Sequence, residues 1–255
     1  MKARPAAVAT GVYRVGLRGV NVFLVEAGGD LVLVDAGLAG SPPRITEAIY
    51  SLGRLPQDVR AIVITHVHRD HVGGLAEMVR RTGAEVWMHP ADAALVREGR
   101  LGRPPRARLS RFSRAVVGLL SHLPERPGRP VDVAHEVLDG DELPFAGLRA
   151  VHVPGHTEGH LALLLPRDGG VLFVGDALNN WFRLSLGVLH EDDAGARGGL
   201  HKLAALQFEV ACFGHGRTIE HGAQAAIAEL DRRLEAPSKA DGASGTSQGA
   251  AAGGE

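Results

Sequence analysis

The chain has 255 residues and a net charge of -1, with 28 Lys plus Arg against 29 Asp plus Glu. That length can bury a full core, and the even balance leaves no overall pull toward nucleic acid or an anionic membrane. The single cysteine, Cys212 in the apolar run Val210-Ala211-Cys212-Phe213, excludes an internal disulfide and a cysteine-based zinc site, so metal chemistry must rest on histidine and carboxylate.

Met1 to Gly19 is broken by Arg4, Pro5, Arg14 and Arg18, and no stretch reaches the apolar length of a membrane span, so a cytoplasmic protein without a membrane partner is expected. Gly11 to Val15, Asn21 to Glu26 and Leu31 to Val34 read as an opening antiparallel meander. The third run ends in Asp35-Ala36-Gly37, and Pro43 then starts a helix to about Leu52. Ala61 to Ile64 is an apolar strand of the buried type. A helix from Leu75 stops at Gly83, a strand spans Glu85 to Met88, and a second helix runs from about Ala91 to Glu98.

Residues 99–130 differ in character, being proline-bounded and rich in arginine. Leu109, Phe112, Val116, Leu119 and Leu120 fall at near-helical spacing, which predicts one amphipathic helix on an excursion from the sheet. A lid, a homodimer contact or an anion-steering patch are its functional readings, beside a plain solvated face. Past it, Val137 to Phe145 reads as a hairpin region with an Asp-Gly turn. Strands follow at Leu148 to Val153, Leu161 to Leu165 and Val171 to Val174. A helix over Ala194 to Leu206, a strand over Phe208 to Phe213 and a helix over Ile219 to Leu234 close the domain, which is placed at residues 1–235. Residues 236–255 are Ala, Gly, Ser and polar residues with nothing to bury, and read as a disordered tail.

Coordination chemistry is concentrated in Thr65-His66-Val67-His68-Arg69-Asp70-His71, directly after an apolar strand. In extended chain His66 and His68 point the same way and can pinch one ion, while Asp70 and His71 turn toward a second. Three more ligand-type residues each lie next to a glycine after an apolar strand: His156 in Pro154-Gly155-His156-Thr157, Asp176 in Gly175-Asp176, and His215 in Gly214-His215-Gly216.

With these motifs and Val34-Asp35-Ala36-Gly37, the chain resembles the metallo-β-lactamase fold hydrolase superfamily over roughly Gly11 to Leu234. The resemblance implies a four-layer αββα sandwich, an α/β architecture of two mixed β-sheets flanked by helices, with the metal site at the sheet edge. It also implies that His66, His68 and His156 bind one ion, that Asp70, His71 and His215 bind another, that Asp176 bridges, and that Asp35 orients a ligand from behind. His152 and His160 match no ligand position and read as supporting residues.

Two zinc ions fit this ligand set, with iron or manganese also compatible. The expected reaction is hydrolysis of a small ester, lactone or thioester by a metal-bridging hydroxide, with Asp70 assisting proton transfer. Asp176 argues against a true β-lactamase. Gly175-Asp176-Ala177-Leu178-Asn179-Asn180-Trp181-Phe182-Arg183 lacks the Gly-Cys-Gly stretch of glyoxalase II, which turns the reading toward lactonase-like members of that branch. A mononuclear iron persulfide dioxygenase-like oxidoreductase and a metal-dependent nuclease or phosphodiesterase are the alternatives. The scarcity of aromatics in the arginine-rich segment disfavours a nucleic-acid partner and leaves a small-molecule substrate. Asn179 to Arg183 are candidate pocket residues, with Trp181 and Phe182 read as packing ahead of substrate contact.

Overall fold

The computed structural model describes residues 5–102 and 128–236. The predicted helix over Leu109 to Leu120 and the predicted tail beyond Ala236 lie outside the described residues.

Seven strands form the first sheet in sequence order: β1 (Ala6–Ala9), β2 (Val12–Gly16), β3 (Asn21–Ala27), β4 (Asp30–Val34), β5 (Val59–Val63), β6 (Glu85–Met88) and β7 (His135–Glu136). The meander β1 to β4 is antiparallel, and β4 to β7 are parallel. Parallel neighbours need crossovers, and the helices supply them: α1 (Pro42–Ser51), the one-turn α2 (Arg69–Val72), α3 (Leu75–Thr82) and α4 (Pro90–Arg97). Gly83 ends α3 in the left-handed conformation at φ 73, as a C-cap glycine should.

The second sheet has the order β13-β10-β9-β8, from β8 (Arg149–His152), β9 (Leu161–Leu165), β10 (Val171–Gly175) and β13 (Val210–Phe213). A separate small hairpin pairs β11 (Leu178–Asn179) with β12 (Ser185–Leu186). Helices α5 (Asp193–Ala204) and α6 (Ala223–Glu235) follow.

Strand alternation shows how these elements stack. Leu24, Leu33 and Ile62 pack with Ile45 and Ile49 of α1 and Met78 of α3. Their strand neighbours Phe23, Val32, Val34 and Val63 face the other way and pack against Leu163, Phe173 and Cys212 of the second sheet. The far side of that sheet, with Leu172, Val174 and Phe213, packs on Leu200 and Leu203 of α5 and Ile227 and Leu230 of α6. Three apolar layers thus separate helices, sheet, sheet and helices, which is the αββα sandwich. Between the sheets the rings of Phe23 and Phe173 meet edge-on, with centroids 5.3 Å apart.

Two local expectations need correction. Asp139-Gly140 does turn, with Gly140 at φ 83, but the chain beyond it pairs with the β8 segment rather than back on Val137: Glu142 bridges to Arg149, and the Ala150 amide donates to the Asp141 carbonyl at 2.8 Å. The last helix starts at Ala223, because Ile219 exchanges both backbone hydrogen bonds with Ala211 of β13 and Gly222 adopts φ 64. Pairing beside the outermost strand of a sheet overrides helical propensity there.

Candidate metal centre

β5, β8, β10 and β13 each deliver a ligand-type residue from the carboxyl end: His66 and His68 after β5, His156 after β8, Asp176 after β10 and His215 after β13. Backbone bonds tie the two sheets together at this end. The Leu161 amide donates to the Thr65 carbonyl at 2.8 Å, and the Asn21 amide to that of Gly214 at 2.8 Å. The Asn21 side-chain amide donates to the carbonyls of Phe213 and Gly216, each at 3.0 Å.

All seven residues singled out in the sequence come together. One ligand atom each from His66, His68 and His156 forms one group, and from Asp70, His71, Asp176 and His215 a second, with the atoms of each group within 4.8 Å of one another. Asp176 reaches both. Its Oδ2 lies 3.6 Å from His156 Nε2, 4.0 Å from His66 Nε2 and 3.0 Å from His215 Nε2, and its Oδ1 lies 3.4 Å from His71 Nε2. His68 Nδ1 faces His156 Nε2 at 2.8 Å, and Asp70 Oδ2 lies 3.1 Å from His215 Nε2.

Hydrogen bonds on the far side of the rings fix which nitrogen points inward. His71 Nδ1 donates to Asp35 Oδ2 at 2.8 Å, His215 Nδ1 donates to the Gly19 carbonyl at 2.5 Å, and His66 Nδ1 pairs with the Thr65 hydroxyl at 3.0 Å. Asp35 also accepts from the Thr65 amide at 2.8 Å and holds a left-handed backbone at φ 63, which Asp tolerates better than most residues. Buried polar atoms almost always have partners, yet His66 Nε2, His71 Nε2 and Asp176 Oδ1 are buried without a hydrogen bond. These three inward atoms, in a set of nitrogen and carboxylate donors, fit cation coordination.

The electrostatics agree. Burial and the neighbouring imidazoles hold His66 well below its usual pKa, and burial likewise depresses His68 and His156, which keeps their lone pairs free. In the second group burial pushes His215 down, but hydrogen bonds to Asp176 and Asp70 outweigh it and raise it to about 10. Burial opposes ionisation of Asp70, yet the His215 hydrogen bond and the His71 charge hold it down at about 2. Burial likewise opposes ionisation of Asp176, but the nearby charge of His71 and the hydrogen bond to His215 keep it well below the carboxylate range. That half of the site therefore attracts positive charge.

Sequence reading missed one organising residue, Asp92. Fully buried in α4, it accepts from the Val67 amide at 3.1 Å, the Thr157 hydroxyl at 2.7 Å and the Gly159 amide at 3.1 Å, so it clamps the His66 loop to the His156 loop. His160 acts on the backbone, its Nε2 accepting from the Asp176 amide at 3.1 Å. His152 donates from Nε2 to the Glu158 carbonyl at 2.8 Å and stacks on His89. A further grouping, His201, Asp231 and Glu235, sits away from the strand ends on α5 and α6, where His201 Nδ1 pairs with Asp231 at 2.9 Å. Trp181 and Phe182 are not packing residues: they are 52% and 99% exposed beside Asp176 and His215.

An αββα sandwich with paired histidine and carboxylate groups at its strand ends is a framework suited to holding metal ions. The sequence profile described as the metallo-beta-lactamase superfamily matches residues 15–215, and the chain belongs to that superfamily. Among its relatives are the probable metallo-hydrolase YflN of Bacillus subtilis, 32% identical over 179 residues, covering 67% of this chain and 65% of that protein. The hydroxyacylglutathione hydrolase of Xanthomonas axonopodis pv. citri is 31% identical over 203 residues, covering 78% of this chain and 62% of its own. The chain spans 61–65% of the length of such relatives. In fold it is similar to the Rm3 metallo-beta-lactamase, with a TM-score of 0.68 and 26% identity over 88% of this chain and 89% of that one. No described helix is long and apolar enough to cross a membrane.

Proposed function

We propose that this protein is a dinuclear zinc hydrolase of a small ester, lactone or thioester. His66, His68 and His156 would hold one ion, Asp70, His71 and His215 the other, and Asp176 both. The observation that carries this reading is the placement of the Asp176 carboxylate, within 3.0 to 4.0 Å of nitrogens from both groups. Two divalent ions in such a site supply Lewis acidity to a carbonyl oxygen and acidify water enough to make it a nucleophile near neutral pH.

The chain's own residues do the rest. Thr65, Asp35 and the Gly19 carbonyl fix the inward tautomers of His66, His71 and His215. His66 and His71 are sealed from solvent, while the Asp70 side chain is 33% exposed, so substrate enters on the Asp70 side. Ionised Asp70 accepts a hydrogen bond from the attacking water there and relays its proton toward the leaving group.

A complete second group of four donors supports two ions over the single iron of a dioxygenase. The relatives named as hydrolases support bond cleavage by water. Metal analysis of protein purified without added metal, followed by a panel of esters, lactones, thioesters, phosphodiesters and β-lactams, tests the reading. The expected result is two zincs per chain and carboxylic-ester or thioester turnover that falls to background in H68A and D176A. One iron per chain with oxygen consumption, preferential phosphodiester or β-lactam cleavage, or unchanged turnover in both variants would overturn it.

A further inference from the structure

Seven large apolar side chains are exposed among the described residues, and four of them, Trp181, Phe182, Val188 and Leu189, fall within residues 181–189. Clustered apolar exposure of this kind marks a binding surface more often than chance. Here the cluster is held against the candidate metal ligands by both limbs of the β11–β12 hairpin.

On the outgoing limb, the Asn180 amide donates to the His215 carbonyl at 3.2 Å, and the Asn180 carbonyl accepts from Arg217 at 3.0 Å. The approach is so close that a Cβ on Gly216 would lie 2.2 Å from the Asn180 carbonyl carbon. On the return limb, the Gly187 amide donates to Ala177 at 3.0 Å, and a Cβ on Gly187 would lie 2.0 Å from the Asp176 carbonyl oxygen. Side chains are sterically barred from both contacts, so the hairpin is registered on the backbone of Asp176 and His215.

The result is a cavity of about 300 Å³ with two unlike walls. One is formed by Asp176 and His215. The other is formed by Trp181, Phe182 and Val188, with the Trp181 indole tilted 28° from the His215 imidazole at a centroid separation of 5.9 Å. The Asn179 amide, also in the lining, is spent on the Leu186 carbonyl at 2.9 Å. Among the described residues, no lysine or arginine lines the cavity.

We propose that this second wall is a subsite for an apolar acyl or aryl group carried by the substrate next to its scissile carbonyl. The inference deepens the hydrolase reading and rests on it for the reaction, though not for the binding. It assigns the substrate to hydrophobic esters, lactones or thioesters whose acyl part is buried against Trp181, Phe182 and Val188.

Two measurements test it, one without turnover. Titration of the metal-loaded protein with acetate, butyrate, hexanoate and octanoate, followed by tryptophan emission, should show half-saturation falling by about fourfold per added methylene up to a plateau. The signal should vanish in W181F, which keeps Trp87. In p-nitrophenyl esters of the same chain lengths kcat/KM should climb with a similar slope. The ratio of hexanoyl to acetyl turnover should collapse toward one in F182S and V188S, whatever their absolute rates.

If chain length tightens carboxylate binding but no ester, lactone or thioester is cleaved, the subsite stands and the hydrolase reading fails. Binding and turnover both indifferent to chain length would overturn the subsite. So would co-sedimentation with neutral phosphatidylcholine vesicles, or dimerisation abolished by F182S, because each would give the apolar wall a different occupant.

Discussion

Replacing Asp92 with alanine should damage the metal centre without touching any of its ligands. The carboxylate accepts from the amides of Val67 and Gly159 and from the Thr157 hydroxyl, all three buried. Alanine leaves those donors without that acceptor, at about 1–3 kcal/mol each. Relief from burying a charged carboxylate offsets part of the total, so a net loss of about 3–5 kcal/mol is expected. For a chain of this size, each kcal/mol moves Tm by about 2–4 °C, which puts D92A about 6–20 °C below the parent.

Asp92 joins the His66 and His156 loops, so zinc affinity should also fall by the 10- to 100-fold typical of a lost supporting contact. Calorimetric melts with and without chelator and a competitive zinc titration read both effects. Asn, which keeps one acceptor oxygen, should recover part of each. A D92A melt within 2 °C of the parent, with unchanged zinc affinity, would refute the clamp.

Three further outcomes follow from the same geometry. D35N keeps a side chain suited to the left-handed backbone but loses the charged acceptor of His71, so zinc affinity should drop about 10- to 100-fold; equal affinity by competition with a chromophoric chelator would count against this role. Cys212 is fully buried and burial pushes its thiol pKa up, so a disulfide reagent should find no reactive thiol in the native protein and one per chain in guanidinium. His160 is held down at about pKa 3 by burial, so between roughly pH 6.5 and 3 the unfolded chain binds a proton that the folded chain refuses. Its contribution to stability is therefore complete above that window and falls as the pH drops through it, by up to about 1.4 kcal/mol per pH unit; H160Q, which keeps an acceptor for Asp176, should show a shallower acid slope in denaturant titrations, and an identical slope would contradict the assignment.

The legible parts of this molecule were those whose signal is local. An apolar strand running into a histidine or aspartate marks a strand end with chemistry; His66 and His68 follow one directly, and His156, Asp176 and His215 each follow one with a glycine immediately before them. The alternation of Phe23, Leu24 and Val25 already separates the two faces that the structure buries in different layers. Asp92 carried no such signal, because within Pro90–Arg97 it is an ordinary acidic residue of a helix's first turn. Its partners lie 25 to 67 residues away in sequence and exist only after folding. The β11–β12 hairpin was equally silent, since strands of two residues have no period to read and are held by the ligand loops beside them.

The contact between Phe23 and Phe173 gives the centre a dependence on residues that bear no polar atom. Phe23 lies two positions after Asn21, whose amide grips the His215 loop, and Phe173 lies three positions before Asp176. The pair therefore acts as a spacer beneath the site, and the gap it sets between the sheets is passed along two short stretches of strand to the coordinating atoms. Trimming either ring would leave a cavity that the two layers close only in part. Selection on the reaction can thus reach the hydrophobic interior, and a core substitution there would retune the metal centre with every ligand intact.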